Sequence, residues 1–219
     1  MVEYNIVMLY SGGADSYLML KLAKMAGKIP YCILIDYGQK HVVELEYAEK
    51  QLKQEGVEFV KIGIPGLKID SGLTGDLVEA RWENVHAMNV PARNTIFLGI
   101  AMGIAESMGV DEVWIGCDMS DFYGQFPDCK QEYIGKMNEV SNISGVKPIE
   151  IVAPLLGMTK ELILDILKYN FNIQLDDMYS GYEDPKSTCC KNEEYISILD
   201  KPDVTKPAGP IRSGMVGAG

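Results

Sequence analysis

The residues best equipped for chemistry stand near the start of the chain, in Tyr10-Ser11-Gly12-Gly13-Ala14-Asp15-Ser16. Adjacent glycines allow positive φ and let the backbone approach a ligand closely. The following run, Tyr17 to Ala23, has a helical pattern, so its first turn offers unpaired N–H groups and the positive end of a dipole to an anion. Ser11 and Ser16 add hydroxyl groups. A carboxylate at Asp15 would repel a bare phosphate; it fits a site in which it holds a Mg²⁺ ion or completes the turn. The loop lacks the Gly-Lys-Ser/Thr of a Walker A motif and the G-x-G-x-x-G spacing of a dinucleotide fingerprint. It predicts a phosphate cradle of another kind.

Further clusters follow in order. Asp36-Tyr37-Gly38-Gln39-Lys40-His41 leaves an apolar run and is dense in hydrogen-bonding groups. Lys40 and His41 either neutralise phosphate charge or begin the next helix as solvated heads. Val90-Pro91-Ala92-Arg93-Asn94 sets a turn before an apolar helix, with Asn94 expected as its N-cap. Capping does not call for Arg93, whose fork suits phosphate or carboxylate. Gly116-Cys117-Asp118-Met119-Ser120-Asp121 and Phe126-Pro127-Asp128-Cys129-Lys130 gather carboxylates suited to a metal ion or to the donor edge of a base. In Met158-Thr159-Lys160-Glu161, Thr159 reads as a helix N-cap. A lysine in the first turn opposes the dipole, so Lys160 is expected to answer an anion.

These clusters need a scaffold that brings them to one edge. Apolar runs Asn5–Leu9, Tyr31–Asp36, Phe59–Ile62 and Glu112–Gly116 read as strands, with Glu150–Pro154 extended. Between them lie the helical patterns Ala14–Ala26, Val43–Glu55, Asn94–Ser107 and Lys130–Val140. Thr159–Tyr169 is expected to follow as a helix with Leu162, Ile163, Ile166 and Leu167 inward. Such alternation predicts an α/β fold with a doubly wound, mostly parallel sheet whose ligands sit at the carboxyl ends of the strands. Ile64–Asn89 shows little periodicity and reads as a long functional excursion. One domain over residues 1–200 is expected, with a short helical extension at its end and a flexible Pro/Gly-rich tail over residues 201–219.

The chain has 219 residues, 47% of them apolar and 23% charged, which suits one globular domain with a proper core. Its net charge of -11 argues against direct nucleic-acid binding and against a membrane surface. No basic-then-apolar leader follows Met1, and no apolar run reaches bilayer length. An odd set of cysteines (Cys32, Cys117, Cys129, Cys189, Cys190) without scaffold spacing fits a reducing, cytoplasmic setting.

The Ser-Gly-Gly-x-Asp-Ser loop resembles the PP-loop of ATP pyrophosphatases. Taken with Asp-Tyr-Gly-Gln-Lys-His, Val-Pro-x-Arg-Asn, Asp-x-Ser before Pro-Asp-Cys-Lys, and Pro-Leu-x-x-x-Thr-Lys-Glu, the pattern from about Ile6 to Tyr182 resembles the 7-cyano-7-deazaguanine (preQ0) synthase family, QueC. The resemblance implies a PP-loop type sheet, the use of ATP and Mg²⁺, and the conversion of 7-carboxy-7-deazaguanine and ammonia to the nitrile, usually by a homodimer. Carried over, it implies that Ser11, Gly12, Gly13, Asp15, Ser16, Tyr37, Gln39 and Lys40 hold the nucleotide. Asp15 is also the expected Mg²⁺ ligand. Arg93, Asn94, Asp118, Asp121 and Asp128 are expected at the substrate, with Asp15, Arg93, Asp118 and Lys160 serving the chemistry. The chain departs from the family at its end, where Gly181 replaces the first zinc cysteine and Cys189-Cys190 is the remaining pair. Adjacent cysteines chelate one ion poorly, so no family-type zinc site is expected. Rival readings are a reaction ending at the amide or joining the acid to another amine, another PP-loop class such as a tRNA thiolase, and a degenerate nucleotide-binding or interaction subunit.

Overall fold

A computed structural model of the chain describes residues 2–39, 43–64, 90–119, 121, 126–173 and 177–178. Strands β1 (Ile6–Leu9), β2 (Pro30–Asp36), β3 (Phe59–Gly63), β4 (Glu112–Trp114) and β5 (Glu150–Val152) form one sheet in the order β3-β2-β1-β4-β5. Every neighbouring pair is parallel. Helices α1 (Ala14–Met25), α2 (Val43–Glu55), α3 (Arg93–Met108), α4 (Gln131–Ser144) and α5 (Lys160–Asp165) flank it.

The central strand shows why the fold is doubly wound. Ile6, Val7, Met8 and Leu9 are all buried, as a strand covered on both faces requires. Successive side chains alternate between faces. Ile6 and Met8 pack with Leu18, Leu52 and Ile163, from α1, α2 and α5. Val7 and Leu9 pack with Leu98, Ala101 and Ile134, from α3 and α4. Strand order reverses at β1, whose neighbours are β2 and β4. That reversal opens the crevice in which open α/β sheets bind ligands.

The expected elements stand, with local corrections. α1 ends in a Schellman turn: Gly27 N–H donates to the Lys24 carbonyl and Lys28 N–H to the Ala23 carbonyl, with Gly27 at φ 72°. The helix expected over Thr159–Tyr169 instead changes to a π-helical turn at Ile166–Asn170. Its inward residues are Ile163, Leu164 and Leu167, with Ile166 partly buried against the same core, while Leu162 is 46% exposed. Asn94 is not the cap of α3. Ala92 occupies that position in left-handed backbone (φ 57°) and its side chain has nothing to cap with. The Asp128 carboxylate, brought from a distant turn, accepts the Asn94 N–H at 3.1 Å instead. The excursion expected over Ile64–Asn89 falls almost wholly outside the described residues, as do the C-terminal extension, the tail, Lys40, His41, Ser120 and the Cys189-Cys190 pair.

Candidate active site

The glycine loop joins β1 to α1 at the strand-order reversal. Gly12 has φ +88°, and a Cβ there would lie 3.0 Å from both Cβ and backbone N of Ala48. Glycine is therefore required twice, by its backbone conformation and by the approach of α2. Ser16 Oγ accepts the Gly12 N–H at 3.0 Å and donates to the Gly13 carbonyl at 3.0 Å. Ser11 Oγ donates to Ser16 Oγ at 3.3 Å. The serines thus brace the turn from within. Gln51 of α2 braces it from outside: its Nε2 donates to the Gly12 carbonyl at 3.1 Å and to the Asp177 carbonyl at 2.6 Å, and its Oε1 accepts the Tyr10 hydroxyl at 2.7 Å.

Beside the loop, Lys160 joins two carboxylates. Its Nζ lies 2.5 Å from Asp15 Oδ1 and also pairs with Asp118. Asp118 is fully buried, whereas the Asp15 side chain keeps 26% of its surface open. Burial pushes the Asp15 carboxyl up to about 7. Lys160 pulls the other way, and the charges of Asp118 and Asp121 add to the rise. Burial also raises Asp121, with the Asp118 charge adding to it and Lys160 opposing. A positive first-turn residue in α5 is disfavoured by the dipole; Asp15 and Asp118 are the anions that it answers. Thr159 caps that helix, accepting the Leu162 N–H at 3.3 Å.

A cavity of about 150 Å³ opens over these groups. Ser11, Asp15 and Ser16 line it at the loop, and Tyr37, Gln39, Arg93, Asn94 and Asp121 line its walls. Leu9, Ile33, Ile35, Phe97 and Ile115 supply an apolar surface. The Arg93 guanidinium lies 6.0 Å from the Tyr37 ring centre, and that ring packs 5.3 Å from Phe97. Gln39 is 5% exposed and its Oε1 accepts the Tyr37 N–H at 3.0 Å, which fixes the turn carrying the ring.

The structure thus gathers most of the expected residues from β1, β2, β4 and the first turn of α3. It separates others. Asp118 and Asp128 do not line the cavity. Asp118 lies behind Lys160, and Asp128 is occupied at the N-terminus of α3, where its backbone carbonyl also accepts Asn94 Nδ2 at 3.1 Å. Among residues that sequence reasoning missed, Glu44 lines the cavity, and burial pushes its carboxyl up to about 7 against the pull of Arg93. In sequence Glu44 reads as an ordinary acid in the first turn of a helix. Gln51 left a clearer trace: it is a polar residue in the inward stripe of Leu45, Ala48 and Leu52.

The family described as "Queuosine biosynthesis protein QueC" matches residues 5–194. The chain belongs to the QueC family. Among curated QueC relatives, the 7-cyano-7-deazaguanine synthase 1 of Colwellia psychrerythraea is 33% identical over 212 residues, covering 93% of this chain and 97% of the relative. The 7-cyano-7-deazaguanine synthase of Geobacter sulfurreducens is 37% identical over 169 residues, 72% of this chain and 71% of the relative. Among solved structures, a predicted subunit of tRNA methyltransferase from Methanocaldococcus jannaschii matches with a TM-score of 0.50 at 19% identity, over 73% of this chain and 72% of that one. That likeness shows the fold alone. For a QueC chain, the parallel sheet with a glycine loop at its reversal point is the architecture expected of an ATP-using PP-loop protein. Among the described residues, no helix is long and apolar enough to cross a membrane.

Proposed function

We propose that this protein is a 7-cyano-7-deazaguanine synthase, using ATP to convert 7-carboxy-7-deazaguanine and ammonia to the nitrile. The observation that carries the reading is the cavity itself. It brings Ser11, Asp15 and Ser16 of the glycine loop together with Arg93, Tyr37, Glu44, Asp121 and an apolar surface. The loop suits a polyphosphate, and the remaining groups suit a flat heterocycle with an acid group.

The chemistry follows from the poor leaving group of a carboxylate. Attack of its oxygen on the α-phosphorus of ATP releases pyrophosphate and leaves an acyl adenylate. Ammonia then displaces AMP and, after loss of a proton, leaves the amide. A second ATP activates the amide oxygen in the same way, and loss of AMP and a proton gives the nitrile. The protein's part is positional and electrostatic. The N-terminus of α1 suits developing phosphate charge, with Lys160 beside it through Asp15. Asp15 Oδ2 is the oxygen available to a Mg²⁺ ion, since Oδ1 holds Lys160. The Arg93 fork suits the substrate carboxylate, and Asp121 or Glu44 suits the N–H donors of the deazaguanine. By family resemblance the enzyme works as a homodimer; its net charge of -11 speaks against direct nucleic-acid binding, and its odd cysteine set fits the cytoplasm.

Purified protein should be incubated with 7-carboxy-7-deazaguanine, ammonium, Mg²⁺ and ATP, and the products read by mass spectrometry. Nitrile with AMP and pyrophosphate is the expected result. The amide, heavier by one water, would show that the reaction stops after the first activation. ATP left intact, or split with no nitrogen-containing product, would overturn the reading.

A further inference from the structure

We propose that Cys117, Asp121 and Cys129 form a binding site for a divalent transition ion of the zinc class, with an open coordination position toward the cavity. One ligand atom from each of the three lies within 4.8 Å of the others. Around a zinc ion with bonds of about 2.0–2.3 Å, tetrahedral ligands stand roughly 3.3–3.8 Å apart. Closure by about an ångström, a side-chain rotation, completes the set. The ligands come from separate places: Cys117 beyond the end of β4, Asp121 at a helical position further along, and Cys129 in the short 3-10 turn Pro127–Cys129.

Two of these three groups are already aimed by other hydrogen bonds, the arrangement that orients ligands in metal sites. Asn94 Nδ2 donates to Cys129 Sγ at 3.4 Å, which orients the sulfur. Asp118 N–H donates to Asp121 Oδ2 at 3.1 Å, turning the carboxylate and leaving Oδ1 for the ion. Thiols packed only as core need no carboxylate beside them, and a carboxylate against thiols is costly to bury. Arg93 and Lys160 are the cations that act on Asp121, and Lys160 is shared with Asp15 and Asp118.

The placement gives the site its character. Cys117 is 1% and Cys129 4% exposed, yet Cys129 and Asp121 both form part of the cavity wall. Three protein ligands with a fourth position facing a cleft is the pattern of zinc sites that take a solvent molecule or a ligand atom as the last donor. Two thiolates and a carboxylate select zinc over Mg²⁺, which prefers oxygen donors. Its proposed ligands do not include Cys189 or Cys190, and it does not depend on the proposed reaction.

The full-length protein, reduced with a phosphine and stripped with a chelator, should be titrated with Co²⁺ and then Zn²⁺. Stoichiometric Co²⁺ uptake with tetrahedral d–d bands and thiolate-to-cobalt charge transfer is expected, reversed by Zn²⁺. Cys117→Ser and Cys129→Ser should each weaken Zn²⁺ binding by about 100-fold or more, and Asn94→Ala by roughly 10-fold or more. The Cys189→Ser/Cys190→Ser double variant should bind as the parent does. Should the buried cysteine variants fail to fold, Asp121→Asn at the cavity wall serves in their place: charge transfer retained, affinity down by at least about 10-fold. An octahedral spectrum without charge transfer, or one that vanishes only in the Cys189/Cys190 variant, would overturn the proposal.

Discussion

Asp15→Asn should make the ligand-free protein more stable at alkaline pH while abolishing ATP turnover. Burial raises the Asp15 carboxyl from 3.8 to about 7. A raised acid favours the folded state while it is neutral. Its contribution is complete below about pH 4, where the folded and unfolded forms are both protonated, and is lost as pH rises through 7. At about 1.4 kcal/mol per pH unit, the cost of ionising it in the folded state is at most about 4 kcal/mol. The side chain keeps 26% of its surface open, and solvent screening brings the expected value to about 2–3 kcal/mol. Asparagine mimics the neutral acid. The stability difference between variant and parent should therefore be near zero at about pH 4, grow between pH 4 and 7, and level off above pH 8. Urea unfolding across that range measures it, with equal m-values as the check on two-state behaviour. The difference cancels Glu44, which titrates in both proteins, while Asp121 stays coupled to Asp15 and contributes to the measured difference. A variant less stable than the parent at pH 8, or a difference independent of pH, would refute the reasoning.

Other outcomes follow from the same contacts. Gly12→Ala should cost about 2–4 kcal/mol in urea unfolding, combining left-handed strain with the overlap on Ala48; adding Ala48→Gly should leave most of that loss, because the backbone N and Cα at position 48 stay 3.0 and 3.1 Å from the new methyl. Lys160→Met should destabilise by about 3–5 kcal/mol at pH 8, because it leaves the buried Asp118 carboxylate without its ammonium. Lowering the pH should recover part of that loss, and a pH-independent loss would assign it to packing instead. Asp128→Ala should cost about 1–2 kcal/mol as a lost helix cap, and should raise KM for the deazaguanine substrate less than Asp121→Asn does.

Much of this protein can be read from local pattern. The wholly apolar runs in β1 and β2 could be satisfied only by strands covered on both faces, so their alternation with helical periods already required a parallel, doubly wound sheet. Ser-Gly-Gly-x-Asp-Ser after the first strand marked a candidate anion site, because backbone turn, helix terminus and donors all lie within one short stretch. The motifs on the other strand ends then had to share that edge. What local pattern could not decide was how side chains from distant segments are divided among partners. Lys160 reaches Asp15 across 145 residues, and only packing shows that it is also bound to Asp118. Asn94 looks like a cap by type and position, yet the left-handed backbone at Ala92 leaves that duty to Asp128. Glu44 is an ordinary first-turn acid until the fold buries it opposite Arg93. Cys117 and Cys129 read as plain core thiols until the fold brings Asp121 within 4.8 Å of them. Propensity and periodicity act over one or two turns of chain. Hydrogen bonds and charges act over a few ångströms of space, and the fold alone fixes which residues share that space.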